Sequence, residues 1–278
     1  MSIIYINPFQ FAAAGPTFLL DDYPGAAAAY SLRQLRTGVT NVVRVRRDND
    51  GVEADFTATE VSDGTLAAWV GAGNNGFVRT WYDQSGNAND AGQTIAANQP
   101  QIVSSGNVIQ TNNSSALDFN GTSQRMDIPT IPLSMNNFSL SLVSKADSTA
   151  SQIGLSCPDN NRIYVPFLSS GSYYVGYADS GTKFNFGTLS PTSQYLTQLN
   201  AGVSAVNAWR NGAASTPVAP STAAEVGDNL SIGSYKKGGN LIAFWDGTIQ
   251  EIILYPSDQS ANRAAIEADI NAHYSIYP

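Results

Sequence analysis

The chain has 278 residues with 22 acidic against 14 basic side chains, a net charge of −8, and charges at only 13 % of positions, about half the usual share in a soluble protein. So few basic groups leave no phosphate-tracking face, and no nucleic-acid partner is expected. One histidine, His273, and one cysteine, Cys157, exclude an intramolecular disulfide, a thiolate cluster and any site built from several histidines. A chain of this length can still bury a sizeable core.

No run approaches the ~20 apolar residues of a membrane span, so no membrane partner is expected. The opening residues carry no basic region, and their apolar run is too short for a secretory leader. The composition is that of an outward-facing polar surface, yet no export signal is evident. A virion protein, assembled in the cytoplasm and released by lysis, fits both; an extracellular or cell-surface location is the alternative.

Residues 1–16 open with a short strand, Ile3 to Ile6. Ile3, Ile4, Tyr5, Ile6, Phe9 and Phe11 make this arm apolar enough to dock on a partner subunit. An edge strand of its own domain is the other reading. Asp21-Asp22 before Pro24, and the alanine-rich stretch from Ala26 to Leu35, predict a helix, with Arg33 and Arg36 near its C-terminal end. Val42–Arg46 and Val52–Phe56 read as a hairpin across the Asp48–Gly51 turn. Thr65–Val70 predicts a helical turn, and Gly76–Tyr82 a buried strand that runs into an oxygen-rich loop.

In that loop Asp83, Asn87 and Asp90, with Ser85 and Asn89 between them, alternate as Ca²⁺ ligands would. The same side chains also suit tying the loop to its own backbone amides. No other cofactor is expected.

From about Gln99 short strands follow at sandwich-like spacing. They are Gln101–Val103, Ala116–Phe119, Phe138–Ser144, Gln152–Ser156, Arg162–Phe167, Tyr173–Tyr177, Tyr195–Ala201, Ala205–Arg210, Asn229–Ser234 and Gly247–Leu254. Tyr164, Tyr173, Tyr174, Tyr177, Phe184 and Phe186 crowd one region. Period-2 alternation must send one set into the core, which leaves Tyr164 and Tyr174 as sugar-stacking candidates with Asp179 as a polar partner. Trp209 and Trp245, near turns, are further candidate platforms; a buried sandwich tryptophan is the alternative for each. A final helix, capped by Ser257 or Asp258, carries Ile266, Ile270 and Tyr274 as one apolar stripe.

Three segments carry a resemblance: Tyr23–Arg33, Val43–Arg47 and Gly76–Asn87, the last containing Tyr82-Asp83-Gln84-Ser85-Gly86. Together they resemble the catalytic domain of the arabinofuranosidase-B type. Leu117–Thr122 and Asp246–Tyr255 are similar to the first and last strands of concanavalin-A-like (laminin-G-like) jelly rolls, a family also found in bacteriophage structural proteins. The resemblance implies an all-β protein, a concanavalin-A-like jelly-roll β-sandwich with an N-terminal extension and peripheral helices. Residues 1–16 would be the arm, 17–98 an extension packed on the sandwich, and 99–278 the jelly roll with its C-terminal helix.

Retaining glycosidases need two carboxyl groups about 5–5.5 Å apart. In the resembling family the acid is an Asp soon after an Ile-Gly-Gly stretch; the matching segment here, Ile232-Gly233-Ser234-Tyr235, has no carboxylate. The family's nucleophilic Glu sits in a Cys-rich segment with no counterpart here, and of the five glutamates Glu251 alone lies on a core strand. The expectation is therefore a non-enzymatic bacteriophage virion structural protein: a capsid decoration, head-fibre or tail-associated subunit. It would present a lectin-like, glycan-binding domain, and its partners would be other virion proteins, copies of itself and cell-surface glycan. A secreted or surface carbohydrate-binding module and a divergent arabinofuranosidase-like hydrolase are the alternatives.

Overall fold

The computed structural model describes residues 17–157, 163–177, 182–220, 229–237 and 240–278. A short helix, α1 (Leu19–Asp22), leads into strand β1 (Ala28–Ser31). Hairpin strands β2 (Val43–Arg47) and β3 (Glu53–Phe56) follow, then helices α2 (Ala58–Ser62) and α3 (Thr65–Val70). Strands β4 (Gly76–Trp81), β5 (Ala91–Gly92) and β6 (Gln101–Ser104) complete the N-terminal part. Next come β7 (Leu117–Asn120), β8 (Met126–Thr130), β9 (Phe138–Ala146), β10 (Gln152–Ser156), β11 (Ile163–Ser169) and β12 (Ser172–Tyr177). They are followed by β13 (Thr182–Thr188), β14 (Gln194–Ala201), β15 (Val206–Arg210) and β16 (Asn229–Ile232). A small hairpin of β17 (Tyr235–Lys237) and β18 (Asn240–Ile242), the long strand β19 (Asp246–Tyr255) and helix α4 (Arg263–Tyr274) close the chain.

The strands form an antiparallel β-sandwich, as the resemblance implied. The front sheet runs β5-β8-β16-β10-β11-β12-β13. In the back sheet β19 is central. One edge of it pairs with β7 over Asp246–Ile249 and with β1 over Glu251–Leu254, and the other pairs with β9, then β14 and β15. Strand β4 pairs with β5 of the front sheet and with β6, which adjoins β7 of the back sheet. The N-terminal region is thus hydrogen-bonded into both sheets.

Between the sheets lie Leu140, Leu142, Leu199 and Ile252 from the back, against Ile163, Val165, Tyr173 and Val175 from the front. Each such side chain contributes about 1.5–3 kcal/mol by leaving water. A second apolar layer covers the outer face of the back sheet. There Val143, Leu196, Ile253 and Tyr255 meet Leu19, Leu20 and the Ile266, Ile270 and Tyr274 stripe of α4. The back sheet is therefore buried on both faces. That is why β9, β14 and β19 show near-continuous burial rather than alternation.

Two expectations need correction. The helix over Ala26–Leu35 is absent, and Ala28–Ser31 is strand β1, in register from Ala28 opposite Leu254 to Ser31 opposite Glu251. Alanine favours a helix by only fractions of a kcal/mol per residue, which the pairing and full burial of Ala28 and Ala29 outweigh. Leu32 and Leu35 are buried as expected. Helix α4 begins at Arg263 rather than beside Ser257 or Asp258, because the Asp258 carboxylate accepts from the Ser260 amide (2.9 Å) in a preceding turn.

Candidate functional site

Among the described residues, no helix comparable to α4 covers the outer face of the front sheet. Pairing registers set a lateral row across it: Gly92, Asp127, Ser231, Ser156, Tyr164, Gly176 and Lys183 stand opposite one another on consecutive strands. A bulge in β11 between Tyr164 and Phe167 shifts the alternation, so both rings stay half-buried while Val165 and Leu168 enter the core. Tyr164, Phe167 and Tyr174 form a strip with ring centroids 6.1 and 5.9 Å apart. The Lys183 ammonium lies 4.8 Å from the Phe167 ring centre and 5.6 Å from that of Tyr174, within cation–π range. Gly176 makes the strip possible: a Cβ there would sit 2.7 Å from Cδ2 of Tyr164.

Serines carry the chain from the sheet to this strip. The Ser156 hydroxyl donates to the Ser234 carbonyl at 2.7 Å, and the hydroxyls of Ser231 and Ser234 lie 2.8 Å apart. Tyr235 follows directly and stands edge-on to Tyr164 at 5.0 Å. The Ile232–Tyr235 segment, which matches the acid-bearing stretch of the resembling family, therefore reaches the aromatic strip. The Tyr235 side chain is 6 % exposed, and among the described residues its hydroxyl has no partner. An unmet buried hydroxyl costs about 1–3 kcal/mol, which a ligand oxygen or a water would recover. At the other end of the row Asp127 is half exposed, 3.4 Å from the Arg125 guanidinium. Flat ring faces bordered by an ammonium and the Asn185 amide suit a polyhydroxylated ligand, with C–H faces on the rings and hydroxyls on the polar groups.

The structure separates the predicted sugar residues. Tyr164 and Tyr174 belong to one strip, while Tyr173, Tyr177 and Phe184 face the core, as alternation requires. Asp179 lies outside the described residues, and so do Ile3, Ile4, Tyr5, Ile6, Phe9 and Phe11. Trp209 is on β15 of the back sheet with the Arg263 guanidinium 4.7 Å above its ring. Trp245 is 1 % exposed in the core and offers no open face for stacking. Phe167, Lys183 and Tyr235 were not read as site residues. The β11 bulge that exposes Phe167 and the hairpin that delivers Tyr235 depend on tertiary pairing.

The loop of the calcium reading is tied to strand β1. Asp83 accepts from the amides of Ala29 (2.9 Å), Ser85 (2.8 Å) and Asn89 (3.0 Å), and from the Ser85 hydroxyl. Asp90 accepts from the Asp83 amide, and Asn87 donates to the carbonyls of Ala26 and Ala27. Burial raises the Asp90 carboxyl above its ordinary range. Among the described residues no group of three His, Cys, Asp or Glu side chains is arranged to hold a metal ion.

Two other carboxylates stand out. Glu251 is 1 % exposed and bound by Ser31, by Arg33 through both Nε and Nη2, and by Tyr274. A substrate cannot reach it. Asp118, on the outer side of β7, is pushed up to about 6 by burial and by the charges of Asp147 and Asp246.

No protein-family model matches the sequence, and no curated protein matches it. Solved structures do match. A GH54 α-L-arabinofuranosidase soaked with a cyclic sulfate inhibitor superposes with a TM-score of 0.64 at 13 % identity, covering 89 % of this chain and 62 % of that one. An arabinofuranosidase complexed with arabinofuranosyl-α-1,2-xylobiose gives 0.64 at 15 %, with the same coverage. A mutant GH54 enzyme soaked with 4-nitrophenyl α-L-arabinofuranoside gives 0.65 at 13 %. The chain thus spans 62 % of the length of these proteins and shares their fold.

This corrects the expectation of a non-enzyme. That expectation rested on motif positions without a carboxylate, whereas the fold matched across 89 % of the chain is one that glycosidases use. Asp159, Asp179 and Glu225 lie outside the described residues, and a carboxylate can enter one sheet face from more than one strand.

Proposed function

We propose that this chain is a glycan-recognising β-sandwich protein that holds a saccharide on the outer face of the front sheet. The observation that carries this reading is the strip of Tyr164, Phe167 and Tyr174 beneath Lys183, on the sheet face that no helix among the described residues covers. The buried, unmet hydroxyl of Tyr235 beside it supports the same face. A glycan array of arabinan, xylan and other neutral polysaccharide fragments tests it. Binding to at least one class is expected; a chain that binds none would end the reading.

A second reading, hydrolysis of α-L-arabinofuranosides at this face, is favoured by the enzymes that share the fold. Release of nitrophenol from 4-nitrophenyl α-L-arabinofuranoside checks it directly, and no release above the uncatalysed rate counts against it.

The setting we propose is a virion, with the domain carried as a decoration, head-fibre or tail-associated subunit that assembles with itself or other virion proteins. Low charge and an apolar segment at residues 1–16 motivate it. Such a subunit co-purifies with particles at a fixed copy number; its absence from particles would favour a secreted or surface module instead.

A further inference from the structure

On the far side of the molecule, strand β19 carries a bulge. Val143 of β9 lies opposite Glu251, while the next residue, Ser144, lies opposite Ile249, so Gln250 is the extra residue. Ile249 and Ile252 remain in the core between the sheets, and both Gln250 and Glu251 are free to act on the outer side. Gln250, fully buried, donates to the carbonyls of Thr111 (3.1 Å) and Ser114 (2.9 Å) and so holds the tight hairpin at residues 110–115. Glu251 holds Arg33 at 2.8 Å, and its oxygen lies 3.1 Å from the Tyr274 hydroxyl. Two consecutive buried polar residues thus pin two parts of the lining of one cleft.

That cleft has a volume of about 340 Å³, within the usual range for small-molecule sites. Its lining includes Arg33, Thr59, Asn113, Ser114, His273 and Tyr274, drawn from β1's exit, α2, the 110–115 hairpin and the end of α4. The positive charge of Arg33 is already met twice, by Glu251 and by Asp269 at 2.8 Å. Desolvation, with the neighbouring Arg33 charge, lowers the His273 pKa, so its ring is neutral at pH 7. The cleft therefore has no spare cation to recruit an anion. What it offers is hydroxyls, amides, a neutral imidazole standing edge-on to Tyr274 (4.5 Å), and the buried side of Leu32.

We infer that the cleft above the β19 bulge is a second ligand site, for a neutral polyhydroxylated molecule of about one or two sugar rings. It is built on the back of the sandwich and does not depend on the front-face reading. Both parts of its lining are pinned by buried, partnered side chains of one strand, which preorganises the cleft.

Labelled full-length protein titrated with xylobiose, methyl α-L-arabinofuranoside or galacturonate tests it by NMR. The Arg33 Nε–H and His273 ring signals should shift with at least one neutral sugar and should do so unchanged in Tyr174→Ala. Galacturonate should bind no tighter than the neutral sugars. Ser62→Trp, projecting from the exposed end of α2 into the cleft, should abolish those shifts, and the milder Ser114→Ala should weaken the apparent affinity at least threefold. Signals that stay still with every neutral sugar, or that shift equally in Ser62→Trp, overturn the inference. Loss of shifts at the front strip alone would leave it standing.

Discussion

The two sheets of this sandwich solve different problems with similar strands. The back sheet is sealed on both faces, inward by the other sheet and outward by α1 and α4. Two of its buried polar side chains are paired: Glu251 with Arg33, Gln250 with the 110–115 hairpin. Among the described residues, the front sheet has such a cover on its inner face only. Its outer face keeps three half-buried rings, a lysine above them and a tyrosine hydroxyl without a partner.

If that contrast is right, the largest effects belong to the back sheet. Glu251→Ala leaves Arg33 with Asp269 alone and takes a partner from the Ser31 and Tyr274 hydroxyls, and should cost toward the lower end of about 3–5 kcal/mol in urea unfolding; a loss below about 1 kcal/mol would mean that the ion pair does not hold β1 to β19. Gly176→Ala on the front sheet drives a methyl into the Tyr164 ring and should cost about 1–3 kcal/mol, while also displacing the strip and weakening saccharide binding.

Asp118 offers a pH test. Its folded pKa of about 6 exceeds the ordinary 3.8, so the folded state binds the proton more tightly than the unfolded chain. Its contribution therefore favours folding below about pH 4 and turns unfavourable as pH rises through about 6. Asp118→Asn should stabilise by about 1–2 kcal/mol at pH 7, after discounting for partial solvent screening, and should have little effect at pH 3.5. Equal effects at both pH values would remove the burial argument. The smallest change in stability is expected for Tyr174→Ala, under about 1 kcal/mol for a half-exposed ring, with a disproportionate loss of binding.

Much of the fold was legible in the sequence because period-2 alternation survives wherever one face is solvated. Tyr173-Tyr174-Val175-Gly176-Tyr177 shows this well: the inward residues are the ones buried in the core. Gln152–Ser156 and Thr65–Val70 have the bounds that local pattern predicts. The Ala26–Leu35 helix failed for the opposite reason, since a strand of small residues buried on both sides keeps no periodicity and mimics a helix former. At the site, Tyr164 and Tyr174 were readable as outward aromatics. Phe167 depended on a bulge, Lys183 on the register of β13, and Tyr235 on a hairpin held by Ser156, Ser231 and Ser234. None of these leaves a local signature. The Trp245 platform failed because a tryptophan near a turn can still point between the sheets.

The central claim is that the open front sheet, and not the sealed back sheet, carries the principal saccharide site. Calorimetric titration with the tightest-binding oligosaccharide of the array, in wild type, Tyr174→Ala and Trp209→Ala, tests this most directly. The account predicts at least tenfold weaker binding in Tyr174→Ala, about 1.4 kcal/mol, and an unchanged Kd in Trp209→Ala. An unchanged Kd in Tyr174→Ala with loss in Trp209→Ala would contradict it.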